Sequence, residues 1–197
     1  MLDEKRQLAY LEKSKNDPPS SWLPDAIKEI KSGAKVALDL GCGAGRDTKY
    51  LLEQGFKVTA VDGSPLAAKY LAALPHQERL IFLASSFKDF NFPLDEYDLV
   101  NAQYSLPYAE RDYFADVFSR MEKSLKKGGV FVGQLFGAKD DWFKSPTSLT
   151  KFHTEEEARD LFANWDVVAF DPFEYESKLD NGTMKHWHTF HVLARKN

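Results

Sequence analysis

The sequence predicts an α/β fold: a mostly parallel, seven-stranded sheet with helices on both faces and an antiparallel C-terminal strand. Three observations predict it. From residue 35 onward, short apolar runs alternate with segments of helical composition. The first run ends in an acid and three alternating glycines, Asp39-Leu-Gly41-Cys-Gly43-Ala-Gly45. The last run follows a hairpin signal, Asp180-Asn-Gly182, instead of a helix, and is therefore predicted to be antiparallel.

The predicted strands are runs of four or more mainly apolar residues, found near 36–40, 57–61, 80–84, 97–102, 129–136, 165–171 and 187–195. The predicted helices lie near 21–30, 46–54, 65–74, 110–126 and 154–163. The first of these helices is expected to begin with a serine cap. Residues 1–20 are polar and are not expected to join the core. We thus predict an N-terminal extension and short helix at 1–30, which helps to cover a ligand, and a domain at 31–197.

Composition excludes several classes of protein. The 197 residues are 43% hydrophobic and 28% charged, as expected for one globular domain. A net charge of −4 argues against a nucleic-acid partner. No stretch approaches the ~20 apolar residues of a membrane span, and the charged start lacks a signal-peptide core. We expect a cytoplasmic monomer or homodimer without a membrane or nucleic-acid partner, whose one cysteine, Cys42, serves packing.

The glycine turn predicts an adenosine-containing cofactor. Glycines let a ligand approach the backbone between a strand and the following helix. The spacing differs from the dinucleotide fingerprint G-x-G-x-x-G, because Arg46 occupies the sixth position. A second apolar run ends in Asp62, 17 residues after Gly45, where a carboxylate can accept both hydroxyls of a ribose. An NAD-dependent oxidoreductase shares this layout and stays an alternative.

The pattern from Asp39 to Gly45 resembles motif I of the class I S-adenosylmethionine (SAM)-dependent methyltransferases, a Rossmann-like family. Tyr97-Asp98-Leu99-Val100 resembles the fourth strand of that family, and Leu125-Lys-Lys-Gly128-Gly129 resembles the turn that enters its fifth strand. Arg46-Asp47 and Val61-Asp62-Gly63-Ser64-Pro65 make the chain most similar to the small bacterial tellurite-resistance-type (TehB-like) enzymes. The resemblance covers about residues 30–195 and implies SAM as the cofactor.

The resemblance also implies a set of cofactor-binding residues. The glycine turn would pass under the methionine part of SAM, with Asp39 helping to hold its ammonium end. Ser86 stands where the family usually carries an aspartate for the adenine amino group, and its hydroxyl can still accept a hydrogen bond. The full set lies on four loops: Asp39, Gly41, Cys42, Gly43, Gly45, Arg46, Asp62, Gly63, Ser64, Ser86, Phe87, Gln103 and Tyr104.

The catalytic residues are less well marked. The segment Tyr104-Ser-Leu-Pro107 stands where an Asn-Pro-Pro-Tyr motif would mark nucleic-acid amino methylation, and this disfavours such a substrate. Lys185, His186 and Tyr104 are the candidate catalytic residues. The predicted last strand begins at the ligand edge of the sheet near Lys185 and His186, and Tyr104 follows the fourth strand at the same edge. His186 is the first candidate for a general base. The His186/His188 spacing lacks a third ligand, so no metal is expected.

We expect SAM-dependent methyl transfer to a small molecule. A soft sulfur, selenium or tellurium nucleophile needs no base and is the first class of acceptor to test. Because a dedicated catalytic motif is missing, a non-catalytic SAM-binding protein stays a further alternative. Trp142 and Phe143, in the loop after the fifth strand, would form either a lid or ordinary loop packing.

Overall fold

The computed structural model describes residues 4–31, 33–145, 148–179 and 182–197. Its strands are β1 (Val36–Leu40), β2 (Lys57–Asp62), β3 (Leu80–Ala84), β4 (Tyr97–Ala102), β5 (Leu125–Gly137), β6 (Phe152–His153), β7 (Trp165–Lys178) and β8 (Met184–Lys196). Its α-helices are α1 (Glu4–Ser14), α2 (Leu23–Lys28), α3 (Arg46–Glu53), α4 (Ala68–Leu71), α5 (Phe114–Ser124) and α6 (Glu155–Asp160). Strands and helices alternate from β1 to β3; β4 then follows β3 without an α-helix between them, and α5 separates β4 from β5.

All the strands join one mixed sheet, whose order is β3-β2-β1-β4-β5-β8-β7 with β6 paired to β5. The pairings from β3 through β5 are parallel, and β8 runs antiparallel to both β5 and β7. The predicted mostly parallel sheet with an antiparallel C-terminal strand is therefore confirmed. The strand order reverses between β1 and β4, because the chain runs outward from β1 to β3 and then returns to the other side of β1. Ligand-binding loops are therefore expected at the carboxyl ends of β1 and β4.

The predicted count of seven strands is wrong by one. Phe152 and His153 pair with Phe136 and Gly137 immediately before α6, and they form the short extra strand β6. The predicted strand at 165–171 continues to Lys178, because it pairs with β8 along its whole length. In the predicted hairpin turn, Asp180 and Asn181 lie outside the described residues, and Gly182 has a φ of 85°.

Helices cover both faces of the sheet. On one face, α5 and α6 pack on side chains such as Leu38, Val100 and Phe131. On the other face, α1 to α4 pack on residues that include Ala37 and Val132. The Thr154–Glu157 capping box starts α6: Glu157 N–H donates to the Thr154 hydroxyl, and Thr154 N–H donates to the Glu157 carboxylate. Within the described residues, no helix is both long and apolar enough to cross a membrane.

The N-terminal segment is more ordered than its polar composition indicates. Residues 4–14 form a helix, α1, whose Leu11 side chain is buried in the core, so the expectation that residues 1–20 stay outside the core is wrong. The predicted serine cap of α2 is also absent, because Trp22 is its N-cap residue and makes no side-chain cap. The Ser20 hydroxyl donates instead to Asp47. The contact of Ser20 with α3, which is distant in sequence, therefore takes the place of the expected cap on α2.

Candidate functional site

The glycine turn after β1 has a backbone that requires glycine. Gly41 and Gly45 have φ values of 82° and 80°, in the left-handed region. The Gly41 N–H donates to the Val61 carbonyl at 2.7 Å, which joins the turn to β2. A Cβ atom on Gly41 would lie 2.2 Å from Cβ of Ser105. The turn therefore lies directly against the loop that follows β4.

Asp62, at the end of β2, holds the glycine turn from the other side. Its Oδ2 atom accepts from Gly43 N–H at 2.9 Å, and its Oδ1 atom accepts from Ser64 N–H at 2.8 Å. The carboxylate is half-buried, and each oxygen keeps a lone pair for a further donor. Asp62 borders a cleft of about 170 Å³, whose lining residues come from α1 and the first two strand ends: Gln7, Tyr10, Leu11, Gly43, Asp62 and Ser64.

Asp39 lies beneath the turn instead of at its surface. Its side chain is buried, and its two oxygens accept from Thr48 at 2.5 Å and from Asn101 at 2.8 Å. Burial, followed by repulsion from Asp47, raises the pKa of Asp39 to about 7. In this structure the two oxygens accept hydrogen bonds from within the protein, so Asp39 braces β1 against α3 and β4, and the ammonium contact implied by the resemblance stays a prediction.

Cys42 and Arg46 also face the protein. The Cys42 thiol is buried, and burial raises its pKa, as expected for a packing residue. Arg46 donates to Asp47 at 3.2 Å and to the Ser20 hydroxyl at 2.5 Å. The first residues of α3 therefore bind the N-terminal segment with their side chains.

The loop after β4 holds two of the predicted residues, Gln103 and Tyr104. Gln103 is buried; its Oε1 atom accepts from Gln134 of β5 at 3.2 Å, and its Nε2 atom has no hydrogen-bond partner among the described residues. A buried amide donor without a partner is costly, so a water molecule or a ligand atom is expected to complete it. Tyr104 is 48% exposed and has a φ of 57°, a strained backbone for a residue other than glycine.

The loop after β3 contains Ser86 and Phe87. The Ser86 hydroxyl donates to Asp89 at 2.6 Å, so an acid stands three residues beyond the position where the sequence comparison expected one. Phe87 lies beside the glycine turn, 3.4 Å from a Cβ built on Gly41. Both border a small pocket of about 50 Å³, with a lining completed by Lys88, Tyr108, Ala109, Glu110, Tyr113 and Val117.

Lys185 and His186 do not join this group. The Lys185 ammonium is buried, pairs with Asp140 at 2.6 Å and lies over the rings of Trp142 and Trp187 at 4.4 and 3.6 Å. Burial lowers its pKa, and Asp140 opposes that effect. His186 is partly exposed and bonds to two carboxylates of β7, Glu176 at 2.8 Å and Glu174 at 3.1 Å.

These contacts hold Lys185 in a buried ion pair and His186 in a cluster with two glutamates on the face of β8 opposite His191. The hydrogen bond with Glu176 raises the pKa of His186 above its ordinary value. Trp142 packs on Trp187 at a centroid distance of 5.2 Å, so this side chain forms ordinary loop packing. Among the described residues, no group of three or more His, Cys, Asp or Glu side chains is placed to hold a metal ion.

Sequence reasoning missed a set of residues that cross the sheet beside Tyr104. His191 of β8 is paired in register with Gln134 of β5, and the Gln134 amide lies 3.3 Å from the His191 Nδ1 atom. Trp22, at the start of α2, lies over His191 at a ring-centroid distance of 5.5 Å. The alternation of β8 placed His191 on this face, but only the strand register brings it next to Gln134.

Comparison with known proteins agrees with this geometry. Residues 37–129 match a family model described as a methyltransferase domain. A curated relative, the probable S-adenosyl-L-methionine-dependent methyltransferase TehB of Haemophilus influenzae, is 26% identical over 176 residues, or 87% of this chain and 60% of the relative. The chain spans 45%, 50% and 60% of the length of three curated relatives that it matches.

Two solved structures share the fold. The crystal structure of Haemophilus influenzae TehB has a TM-score of 0.78 and 21% identity, with 97% of this chain and 67% of that chain covered. The Burkholderia thailandensis 1,6-didemethyltoxoflavin-N1-methyltransferase, solved with 1,6-didemethyltoxoflavin and S-adenosylhomocysteine, has a TM-score of 0.63 and 23% identity, with 98% and 86% covered.

Residues 37–129 thus match a methyltransferase domain, the relatives include a SAM-dependent methyltransferase, and SAM is indicated as the cofactor. Among SAM-dependent methyltransferases the chain resembles TehB. The matched domain begins at Ala37, so it includes the glycine turn and Asp62. An NAD-dependent oxidoreductase, the alternative that the sequence left open, is not supported by these relatives.

Proposed function

We propose that the protein transfers a methyl group from SAM to a small-molecule acceptor that binds beside Tyr104. The Nε2 donor of Gln103, which has no partner among the described residues, is the observation that carries this proposal, since a ligand at the end of β4 would complete it. SAM supplies a sulfonium methyl that a nucleophile takes by displacement. The chain contributes alignment and exclusion of water, which are major sources of rate in such a reaction.

We assign the cofactor to the predicted set of loops, with some changes of role. The backbone of the glycine turn and the carboxylate of Asp62 face the cleft and would contact the cofactor directly. Ser86 and Phe87 would flank the adenine, and Gln103 would donate to a polar group of the bound cofactor or acceptor. Asp39 and Arg46 would support the cofactor indirectly, because their side chains hold the glycine turn and α3 in place.

The N-terminal segment 1–30 is proposed to cover the cofactor. Gln7 accepts from the Ser64 hydroxyl at 3.0 Å, and Glu12 accepts from Tyr70 at 2.7 Å, so two contacts hold the described part of α1 over the cleft. A helix placed there must move, or bind last, for a large cofactor to enter. We retain the cytoplasm as the location, and a monomer or homodimer without a nucleic-acid partner, as predictions from composition.

Soft sulfur, selenium or tellurium nucleophiles remain the first acceptors to test. An acceptor of this class needs no general base, and His186 lies in a carboxylate cluster on the other face of β8. An alcohol or amine would need a base that the described pocket residues do not present in an obvious arrangement. The proposal therefore favours acceptors that are already nucleophilic at neutral pH.

The test is a parallel calorimetric titration with SAM, S-adenosylhomocysteine and NAD. We expect binding of the first two, and we expect Asp62→Ala to weaken it by at least about tenfold through the loss of a charged hydrogen-bond acceptor. Glu156→Ala, which removes an exposed acid from α6, is the matched control and should leave the affinity unchanged. Binding of NAD alone would refute the cofactor assignment.

Turnover is then assayed as formation of S-adenosylhomocysteine with thiols, selenite and tellurite, and the methylated products are identified by mass spectrometry. Product formation with any of these acceptors supports the proposal. SAM binding without turnover across this panel and a wider one of alcohols and amines would favour the third reading, a SAM-binding protein without catalytic activity.

A further inference from the structure

The orientation of the Gln134 side-chain amide is determined by its neighbours. Gln134 is buried, and its Oε1 atom accepts the hydrogen bond from the Tyr104 N–H. A backbone N–H can only donate, so the oxygen must face Tyr104 and the nitrogen must face away. The Nε2 atom then donates one hydrogen to Oε1 of Gln103 at 3.2 Å. Its second hydrogen is left for His191.

This orientation determines the tautomer of His191. The Gln134 Nε2 atom lies 3.3 Å from Nδ1 of His191, and an amide nitrogen is a donor without acceptor capacity. The His191 Nδ1 atom must therefore accept, and in a neutral ring the proton must lie on Nε2. Burial lowers the pKa of His191 and so favours this neutral ring, although Asp171 of β7, its charged neighbour, acts in the opposite direction.

His191 thus presents an Nε2–H group with no protein acceptor among the described residues. Three aromatic rings surround it: Trp22 at 5.5 Å, Phe173 at 6.0 Å and Tyr104 at 6.3 Å between centroids. Tyr104 and Phe173 are each about half exposed. Exposed rings around a single polar donor form the kind of lining that orients a small flat ligand.

The aromatic lining continues along the same face of β7 and β8. Tyr175 lies beside Phe173 at 5.3 Å and stacks on Trp187 at 6.0 Å with an interplanar angle of 10°. Phe136 of β5 extends the group toward the loop after β4. Lys185 is a cation of this region, and Asp140 already neutralises it. Asp171, exposed on β7 and paired with His191, adds a carboxylate beside these ring faces.

We propose that His191 is a specificity-determining hydrogen-bond donor of the acceptor pocket, held as the Nε2–H tautomer by Gln134. Within the soft nucleophiles proposed above, the acceptor is then a planar aromatic or heteroaromatic molecule, such as an aromatic thiol, with a hydrogen-bond acceptor atom at its edge, and not an oxyanion such as selenite or tellurite. Gln134 is a positioning residue, because it acts through His191 and the Tyr104 backbone. This inference rests on the proposed function for the identity of the pocket, whereas the tautomer rests on the hydrogen bonds alone.

The tautomer is tested by nitrogen-15 NMR of the histidine rings in the full chain without ligand at pH 7.5. We expect His191 to show an unprotonated Nδ1 and a protonated Nε2, with its signals assigned by their loss in His191→Gln. Gln134→Glu replaces the donor with an acceptor and should move the proton to Nδ1 or charge the ring. A wild-type ring that is charged, or protonated on Nδ1, would overturn the inference.

The ligand class is tested with two probes of matched shape, quinoline and naphthalene, added to protein saturated with S-adenosylhomocysteine. Binding is followed by Trp fluorescence. We expect quinoline to bind about five- to tenfold more tightly, because its ring nitrogen accepts from His191. His191→Leu should remove the preference, and His191→Gln, which restores a donor at a similar reach, should retain part of it.

Equal affinity of both probes in the wild type, or a preference that survives in His191→Leu, would contradict the role in specificity. The saturation step separates this failure from failure of the proposed function. If S-adenosylhomocysteine does not bind, the proposed function is wrong, and the NMR result still decides the tautomer. Circular dichroism of each variant checks that a loss of binding is not a loss of folding.

Discussion

Ser20 donates two hydrogen bonds to the two oxygens of Asp47, from its backbone N–H at 2.8 Å and from its hydroxyl at 2.7 Å. Ser20 and Asp47 are both buried. Asp47 is the second residue of α3, so this pair fastens the N-terminal segment to the helix that follows the glycine turn. The carboxylate also lies at a helix N-terminus, where the helix dipole favours negative charge.

Ser20→Ala should lower the free energy of unfolding by about 1–3 kcal/mol, because a buried carboxylate loses one of its donors. It should also weaken binding of S-adenosylhomocysteine, since the segment that carries α1 loses an attachment. Urea unfolding and calorimetry measure the two effects. Ser21→Ala, at the exposed neighbouring residue, is the control. Equal stability of the two variants would show that the Ser20 hydroxyl contributes nothing.

Gly41→Ala should destabilise the protein by at least about 1–3 kcal/mol from backbone strain alone, because its φ is 82°. The added methyl group would also collide with Ser105 at 2.2 Å. Gly63→Ala is the matched control for stability, since it is exposed and its Cβ would meet no atom within 4 Å. Thermal unfolding measures the melting temperature of both variants, and we expect only that of Gly41→Ala to fall. A Gly41→Ala protein that melts at the same temperature as the wild type would contradict the prediction.

The raised pKa of Asp39 predicts a pH dependence of stability. In the unfolded chain an aspartate ionises near its ordinary pKa of about 3.9, whereas in the folded protein Asp39 ionises at about 7. Between these values the folded state binds the extra proton, so this residue's contribution to stability decreases as pH rises from about 4 to about 7.

Asp39→Asn, which keeps the shape and cannot ionise, should flatten this part of the profile. Urea unfolding at several values between pH 5 and pH 8 measures it for both proteins. Asp112→Asn, at an exposed acid, is the control and should follow the wild type. A wild-type profile that Asp39→Asn leaves unaltered would show that the carboxyl group is not protonated in the folded state.

Asp140→Asn should cost about 3–5 kcal/mol, because it leaves the Lys185 ammonium buried without its counter-ion. The double variant Asp140→Asn/Lys185→Met should recover much of that loss, since methionine fills a similar space between the two tryptophans without a charge. Chemical unfolding of the single and double variants gives the comparison. A double variant that is as unstable as the single one would mean that shape, and not charge, determines the effect.

Much of the fold could be predicted because its signals are local. The apolar run that ends at Leu40, the glycines after it and the Thr154 capping box each depend on neighbouring residues. Strand β6 could not be predicted, because its two residues have no pattern of their own and pair only with the end of β5. Helix α1 was missed for a similar reason: Leu11 is buried only after the glycine turn has formed beneath it.

The residues of the candidate site likewise fall into those that the sequence indicated and those whose partners only the structure showed. The sequence pointed to Gly41 and Asp62 because a motif brings them together by spacing. It ranked Lys185 and His186 as catalytic candidates from their place near the start of the last strand, but it could not show their partners. Those partners, Asp140 and the glutamates of β7, are distant in sequence and met only through loop packing and strand pairing.

The sequence by itself determined the alternating architecture, the antiparallel end of the sheet and the glycine turn for an adenosine-containing cofactor, because periodicity and glycine spacing are properties of contiguous residues. Only the tertiary structure decided that Asp39 is a buried brace, that Ser20 holds the N-terminal segment on α3, and that Gln134 orients His191. Each of these roles depends on which hydrogen-bond donor meets which acceptor, and burial makes that pairing energetically decisive.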